Sequence, residues 1–369
     1  MKHKLIKIKG GSMNEYEKFK SWAGHAGRST DRNIADIAFP DQPIMLRSRG
    51  QSAALTEFPD FIIAHVNEGL GTKILVADQM PAELAKGYLP YVHYRLIAQD
   101  AAATLLNDLA TCGARPFSMQ MHLEVSDVGW FDNKEKVHNL IWGWKDKCFE
   151  DECRWDGGQT SVAKGIVMPG AATLTGSVVG LIADKSLLLS QNKLRPGDAI
   201  VIFESNGLHA NGFTKVREIV ESLPEGYLTK IGEKTLGQLL LEPTPLYGPV
   251  IRGINGRLAE IHYAANITGG GWRKIMRADE PYRYVIETLP RPQKVFEALQ
   301  NFGKVSDKED YETWNMGAGF VLFMALFEAQ RLVEYVNKSA FGFQAVLAGY
   351  VEPSDKKEVF IKPLGITLD

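Results

Sequence analysis

Residues 199–212 read AIVIFESNGLHANG: a β-rich apolar run, then a loop made of Ser205, Asn206, Gly207, Leu208, His209, Ala210, Asn211 and Gly212, then a helical pattern. A strand that empties through glycine and polar side chains into a helix is the unit of an α/β fold, and its repetition decides the class. It recurs at 261–272, where IHYAANI leads through Thr268, Gly269, Gly270 and Gly271 into a further helical pattern. It appears in altered form at 61–78, where FIIAHV is followed by Asn67-Glu68-Gly69-Leu70-Gly71-Thr72-Lys73 and then by KILVAD, which reads as a second strand.

Working outward, FSMQMHLEV (117–125), TLTGSVVGLIA (173–183), YRYVIE (282–287), AGFVLFMA (318–325), AVLAGYV (345–351) and EVFIK (358–362) read as strands. Helical patterns cover 91–112, 134–149, a stretch from Gly212, another from Pro245 and 329–337. The turn Pro196-Gly197-Asp198 closes a stretch that interrupts the alternation, so the chain divides into 1–184 and 185–369, each α/β or α+β. The opening MKHKLIKIKGGSM reads either as an extra edge strand or as a leader or tag over residues 1–12.

The chain has 369 residues, 45% of them hydrophobic and 23% charged, enough for two cored domains. A formal net charge of −2 excludes a generally basic face for nucleic acid. No apolar run approaches the roughly 20 residues that span a bilayer, so a cytoplasmic address is expected. Three cysteines, Cys112, Cys148 and Cys153, lack the pairing of a disulfide framework or a zinc site.

Several segments could carry chemistry. On the helix from Tyr91, a period of 3.6 aligns Asp100, Thr104, Asn107 and Asp108, opposite Ala98, Ala102, Leu105, Leu106 and Leu109. Hard oxygen donors in a row suit magnesium, whose octahedron waters and phosphates complete; a solvated polar face is the plainer alternative. Glu68 to Lys73 could hold a cation and a phosphate, or be a hairpin turn, and the spacing is not that of a Walker loop. Asp156-Gly157-Gly158-Gln159-Thr160 suits a ligand-lining loop. Residues Ser205 to Gly212, with Asn211 as a cap and His209 nearby, make a candidate anion site, though a histidine also serves structural roles. Three adjacent glycines at 269–271 favour close approach of a phosphate or of another stretch of backbone. Trp314-Asn315-Met316-Gly317-Ala318-Gly319 precedes an apolar strand.

In order and spacing these segments resemble the phosphoribosylformylglycinamidine cyclo-ligase family, also called aminoimidazole ribonucleotide synthetases. The family's Asp-Gly-Val-Gly-Thr-Lys loop is matched by Glu68 to Lys73, and its Asp followed by Asn-Asp by Asp100, Asn107 and Asp108. Gly113 to Pro116, Gly157 to Thr160, Pro196 to Asp198, Ser205 to Gly212, Pro243-Thr244, Thr268 to Gly271 and Asn315 to Gly319 match further family segments.

The resemblance implies a two-domain aminoimidazole ribonucleotide synthetase-like fold: an N-terminal ATP-binding and dimerisation domain whose sheet pairs across a homodimer, and a C-terminal α/β domain. It implies ATP and Mg2+ as cofactors, a small ribonucleotide substrate, and ATP-dependent closure of the imidazole ring through a phosphorylated amide oxygen in purine biosynthesis. The roles it implies are these: metal at Glu68, Asp100 and Asp108; nucleotide at Gly69, Gly71, Thr72, Lys73, Asp100, Asn107, Gly158, Gln159 and Thr160; substrate at Ser205, Gly207, His209, Asn211 and Thr268 to Gly271. His209, Asn211 and Lys73 are the implied catalytic residues.

The chain departs from the family where Glu68 replaces Asp, where Gln159 replaces Glu, and where extra residues including Lys164 follow Thr160. Those departures keep open another ATP-dependent member of the superfamily, or a nucleotide-binding paralogue without catalysis.

Overall fold

The computed structural model of the protein describes residues 15–30, 48, 50–81 and 91–369; the reading of residues 1–12 lies outside them. Helix α1 spans Glu15–Arg28. The first sheet contains β1 (Ala54–Glu57), β2 (Ile62–Gly69), β3 (Arg115–Val125), β4 (Arg154–Val162) and β5 (Ala172–Ile182), in the order β1-β2-β5-β3-β4. All its pairings are antiparallel except β3 with β4. Alternation places Ala64, Val66, Met119, Met121, Leu174 and Val178 on the buried face, under α3 (Val92–Ala110) and α4 (Lys134–Glu150). The other face carries His65, Asn67, Gln120, His122, Thr175 and Ser177, all at least partly exposed.

Two readings of this half are corrected. KILVAD is not a strand: the chain turns through Gly71–Lys73 into the short helix α2, Ile74–Gln79. A four-residue apolar run, Ile74 to Ala77, suits either element, and here Ile74, Val76 and Ala77 are buried against α3 and β5. Asp156 to Thr160 is not a loop but the middle of edge strand β4. Gly158 has φ +144°, and a Cβ there would stand 1.7 Å from the Met121 carbonyl oxygen, so glycine is what lets β4 close on β3.

The second sheet has β6 (Ala199–Glu204), β9 (Tyr263–Asn266), β10 (Tyr282–Ile286), β11 (Ala318–Met324), β12 (Ala345–Pro353), β13 (Glu358–Ile361) and β14 (Ile366–Leu368). Its order is β14-β13-β10-β12-β6-β11-β9, and a two-stranded ribbon of β7 (Lys230–Ile231) and β8 (Lys234–Thr235) stands apart. Helices α5 (Phe213–Glu221), α6 (Leu236–Leu240), α7 (Gly248–Ile254), α8 (Lys294–Gly303), α9 (Asp307–Thr313) and α10 (Leu326–Lys338) complete it. One sheet face packs Ala199, Val201, Phe203 and Phe320 against α7 and α10. The other packs Ile200, Ile202 and Phe323 into a core shared with α5, α8 and the N-terminal sheet. Each such fully buried aliphatic side chain contributes roughly 1.5–3 kcal/mol, so the continuous core ties the two halves into one body.

Candidate active site between the two domains

β6 and β9 both run antiparallel to β11, which lies between them. The exits of β6 and β9 and the start of β11 therefore meet at one end of the sheet. That end gathers three of the singled-out segments: 205–212, 268–271 and 315–319. Asn315 binds them together: its amide donates to the Gly207 carbonyl (2.8 Å), its Oδ1 accepts from Gly317 N (3.0 Å) and from the Ser205 hydroxyl (2.9 Å), and its carbonyl accepts from Trp272 Nε1 (2.7 Å). Ser205, which the resemblance implies as a substrate contact, is buried and donates to Asn315 and Gln293.

Across this end lies α3. Its polar stripe is not solvated: Asp100, Thr104, Asn107 and Asp108 are all buried against the C-terminal domain. Asp100 Oδ1 accepts from the backbone N–H of Thr244 (2.8 Å) and from its hydroxyl (2.6 Å), while Oδ2 pairs with Lys73 Nζ at 2.5 Å. Asn107 donates to the Pro245 carbonyl (2.9 Å) and accepts from Tyr247 N (3.0 Å). Through these bonds Asp100 and Asn107 hold the segment Thr244 to Tyr247 against α3. Lys73 is engaged by protein as well: with no exposed surface, it donates to the His209 carbonyl (2.7 Å) and reaches that of Glu242 (3.5 Å) besides its pair with Asp100.

Asp108 differs from its neighbours on the stripe. Its Oδ1 accepts from Asn266 Nδ2 at 2.7 Å. Burial raises its pKa to about 6, against the Asn266 hydrogen bond, with Glu68 raising it and Arg277 and Lys274 lowering it. Among the described residues no three His, Cys, Asp or Glu side chains converge on a metal position, so the expected trio of Glu68, Asp100 and Asp108 is not formed. Exposed Glu68 and Asp108 fit magnesium as a pair, since that ion commonly takes one or two carboxylates and draws its remaining ligands from phosphates and water.

His209 has φ +61°, rare for a side-chain-bearing residue, and is buried. Burial and the Lys73 charge lower its pKa to about 3, so the ring is neutral. Its Nε2 and the Oδ1 of Asn206 are buried without a partner, as atoms awaiting a ligand would be. Nearby, Asn211 Oδ1 lies 3.3 Å from where a Cβ on Gly269 would stand, so the two loops touch. Gly269 and Gly270 are exposed, and Gly270 has φ +90° with open space around it. The stretch after them is only a 3-10 turn, Gly271–Met276, not the helix expected. Lys274 and Arg277 follow the triplet and act on Asp108; the basic spacing in WRKIMR was the available signal for them.

On the N-terminal side, Gly69, Gly71 and Thr72 line an open cleft together with Thr175, the strand partner of Gly69, and with Ile166, Val167 and Met168. Gln159 and Thr160 do not join it. Gly69 pairs with Thr175, Thr175 with His122, and His122 with Gln159, three strands or about 14 Å across the sheet.

Both halves of the chain match AIR synthase-related proteins. The profile described as AIR synthase related protein, N-terminal domain matches residues 50–182, and that for the C-terminal domain matches 195–362. A phosphoribosylformylglycinamidine cyclo-ligase of Thermoplasma volcanium is 30% identical over 312 residues, covering 84% of this chain and 86% of that protein. The cyclo-ligase of Carboxydothermus hydrogenoformans is 27% identical, covering 90% and 95%. The hydrogenase maturation protein HypE, solved in complex with ATP, superposes with a TM-score of 0.59 at 16% identity, covering 93% of this chain and 94% of that one, which speaks to fold alone. The chain belongs to the phosphoribosylformylglycinamidine cyclo-ligase family.

Proposed function

We propose that this protein closes the imidazole ring of formylglycinamidine ribonucleotide at the expense of ATP, giving aminoimidazole ribonucleotide, ADP and phosphate. The observation that carries this reading is the meeting of loops 205–212 and 268–271 at the domain seam, with the buried, unpartnered Nε2 of His209 beside them. The 30% identical cyclo-ligase supports the choice of reaction.

In this reading Gly69, Gly71 and Thr72 present backbone to the nucleotide. Glu68 and Asp108 hold magnesium, which when bound neutralises charge on the phosphates. Gly207, Asn211, Thr268, Gly269 and Gly270 receive the substrate phosphate or the transferring phosphoryl group through backbone and amide donors, with Gly271 closing the turn by donating to the Thr268 carbonyl (3.0 Å). ATP phosphorylates the formyl amide oxygen; the neighbouring nitrogen then attacks that carbon and phosphate leaves. Neutral His209 can donate a hydrogen bond from Nε2 to an oxygen gaining charge in that step, with no proton to shed first. The reading includes a cytoplasmic homodimer joined through the open face of the N-terminal sheet, which would let Gly158, Gln159 and Thr160 of β4 serve a partner's nucleotide. Among the described residues no helix is long and apolar enough to cross a membrane.

The test is release of ADP from Mg-ATP with and without formylglycinamidine ribonucleotide, beside colorimetric detection of the aminoimidazole. Matched, substrate-dependent formation of both is expected. ATP binding with neither product would replace the reading with a nucleotide-binding paralogue.

A further inference from the structure

We infer that Lys73, paired with Asp100, is a positioning residue that couples the nucleotide loop Gly69–Thr72 to the substrate loop carrying His209. An ammonium has three donors, and here they meet Asp100 Oδ2, the His209 carbonyl and the Glu242 carbonyl, leaving nothing for a phosphate. Both charged side chains have no exposed surface, so this is a buried cross-domain pin and not a surface ion pair. On the N-terminal side the pin is bonded directly to Thr72, whose loop lines the cleft. On the C-terminal side it grips the carbonyl of a residue with φ +61°, so the orientation of the His209 peptide, and with it the imidazole, depends on where Lys73 stands.

Asp100 fixes the lysine from behind, because Thr244 holds its other oxygen twice. Movement of the glycine loop onto a phosphate therefore moves the His209 loop, and by linkage occupation of the His209 side must favour the nucleotide in return. The coupling rests on the cyclo-ligase reading for the identity of its two ligands.

The test uses the full chain and the double variant Lys73→Met, Asp100→Asn, which leaves no lone buried charge and keeps an acceptor for Thr244. Calorimetry measures binding of Mg-AMP-PNP and of ribose 5-phosphate, each alone and in the presence of the other. In the wild type each should tighten the other at least about fivefold. In the double variant each separate affinity should stay within about threefold while the mutual effect falls to none and kcat drops more than KM rises.

A wild-type protein without mutual effect, or a double variant that keeps it, overturns the coupling. A fall in nucleotide affinity alone, with the mutual effect intact, would return Lys73 to a phosphate-binding role. If the double variant shows no cooperative melting, Lys73→Arg replaces it: the fork keeps the ion pair but not the ammonium's grip on two carbonyls, so loss of the mutual effect is again expected and its retention overturns the proposal. Failure of ring closure in a wild type that retains the mutual effect would remove the cyclo-ligase reading and leave the coupling standing.

Discussion

The polar stripe of α3 and the glycine loops facing it invite the same reading, as ligand sites, yet they have opposite chemistry. On the stripe, Asp100 and Asn107 are engaged by protein: Asp100 Oδ1 and the Asn107 amide bond to residues 244–247 of the other domain, and Asp100 Oδ2 pairs with Lys73 of its own. In the loops, Gly69, Gly71, Gly269 and Gly270 are exposed, and the polar atoms left unsatisfied beside them belong to His209 and Asn206. Residues whose types suggest catalysis hold the domains together, while exposed backbone and a few unpartnered atoms stand in the loops. Asp108 differs on the stripe, because only one of its oxygens accepts from Asn266 and the charges of Glu68, Lys274 and Arg277 act on it.

The largest break in this contrast should come from Lys73→Met. It strands the Asp100 carboxylate in a site without solvent, and should cost about 3–5 kcal/mol of unfolding free energy. Denaturant melts would read it, and a loss under about 1 kcal/mol would mean the pair is not the pin described.

Gly319→Ala comes next. A Cβ there would stand 1.8 Å from Tyr247 Oη, which donates to the Glu204 carbonyl at 2.9 Å, and 3.0 Å from His209 Cε1. The overpacking should cost about 1–3 kcal/mol and lower kcat through the displaced imidazole. Wild-type stability and kcat together would show that the end of β11 does not shape the site.

A smaller effect is expected from pH. The Asp108 pKa, raised by burial to about 6, means that magnesium must displace a proton below that pH. The wild-type affinity for Mg-AMP-PNP, taken relative to Asp108→Asn to cancel the nucleotide's own titration, should fall by up to about tenfold per pH unit below 6 and be flat above 7. The sign for stability is opposite: since the folded pKa lies above the ordinary 3.8, this group's penalty is absent below that value and complete above about 6. His209 acts the other way. Its folded pKa near 3 lies below the ordinary 6.5, so its contribution is full above 6.5 and declines toward pH 3. A flat metal-dependent profile from pH 5 to 8 would take Asp108 out of the metal site.

Strands with strict alternation, such as β3 and β5, were legible because one face is buried and the other open, and the long helices α3 and α4 were legible by period. KILVAD was not, since a short run buried all round has no period to report. Strand β4 hid behind Gly157 and Gly158, residues that ordinarily break strands and here permit a close approach. At the site, residue types were legible and destinations were not. The C-terminal partners of Asp100, Asn107 and Lys73 lie 144, 140 and 136 residues away in the chain, a distance over which local pattern carries no information.

Asp100→Asn and Asp108→Asn, two residues of one helix stripe, test this division of labour most directly through paired melting temperature and Mg-ATP affinity. The account predicts that Asp100→Asn lowers the melting temperature with nucleotide affinity within about twofold, while Asp108→Asn weakens Mg-ATP about tenfold with the melting temperature unchanged or raised. The reverse pattern, or equal losses of both quantities in both variants, would contradict it.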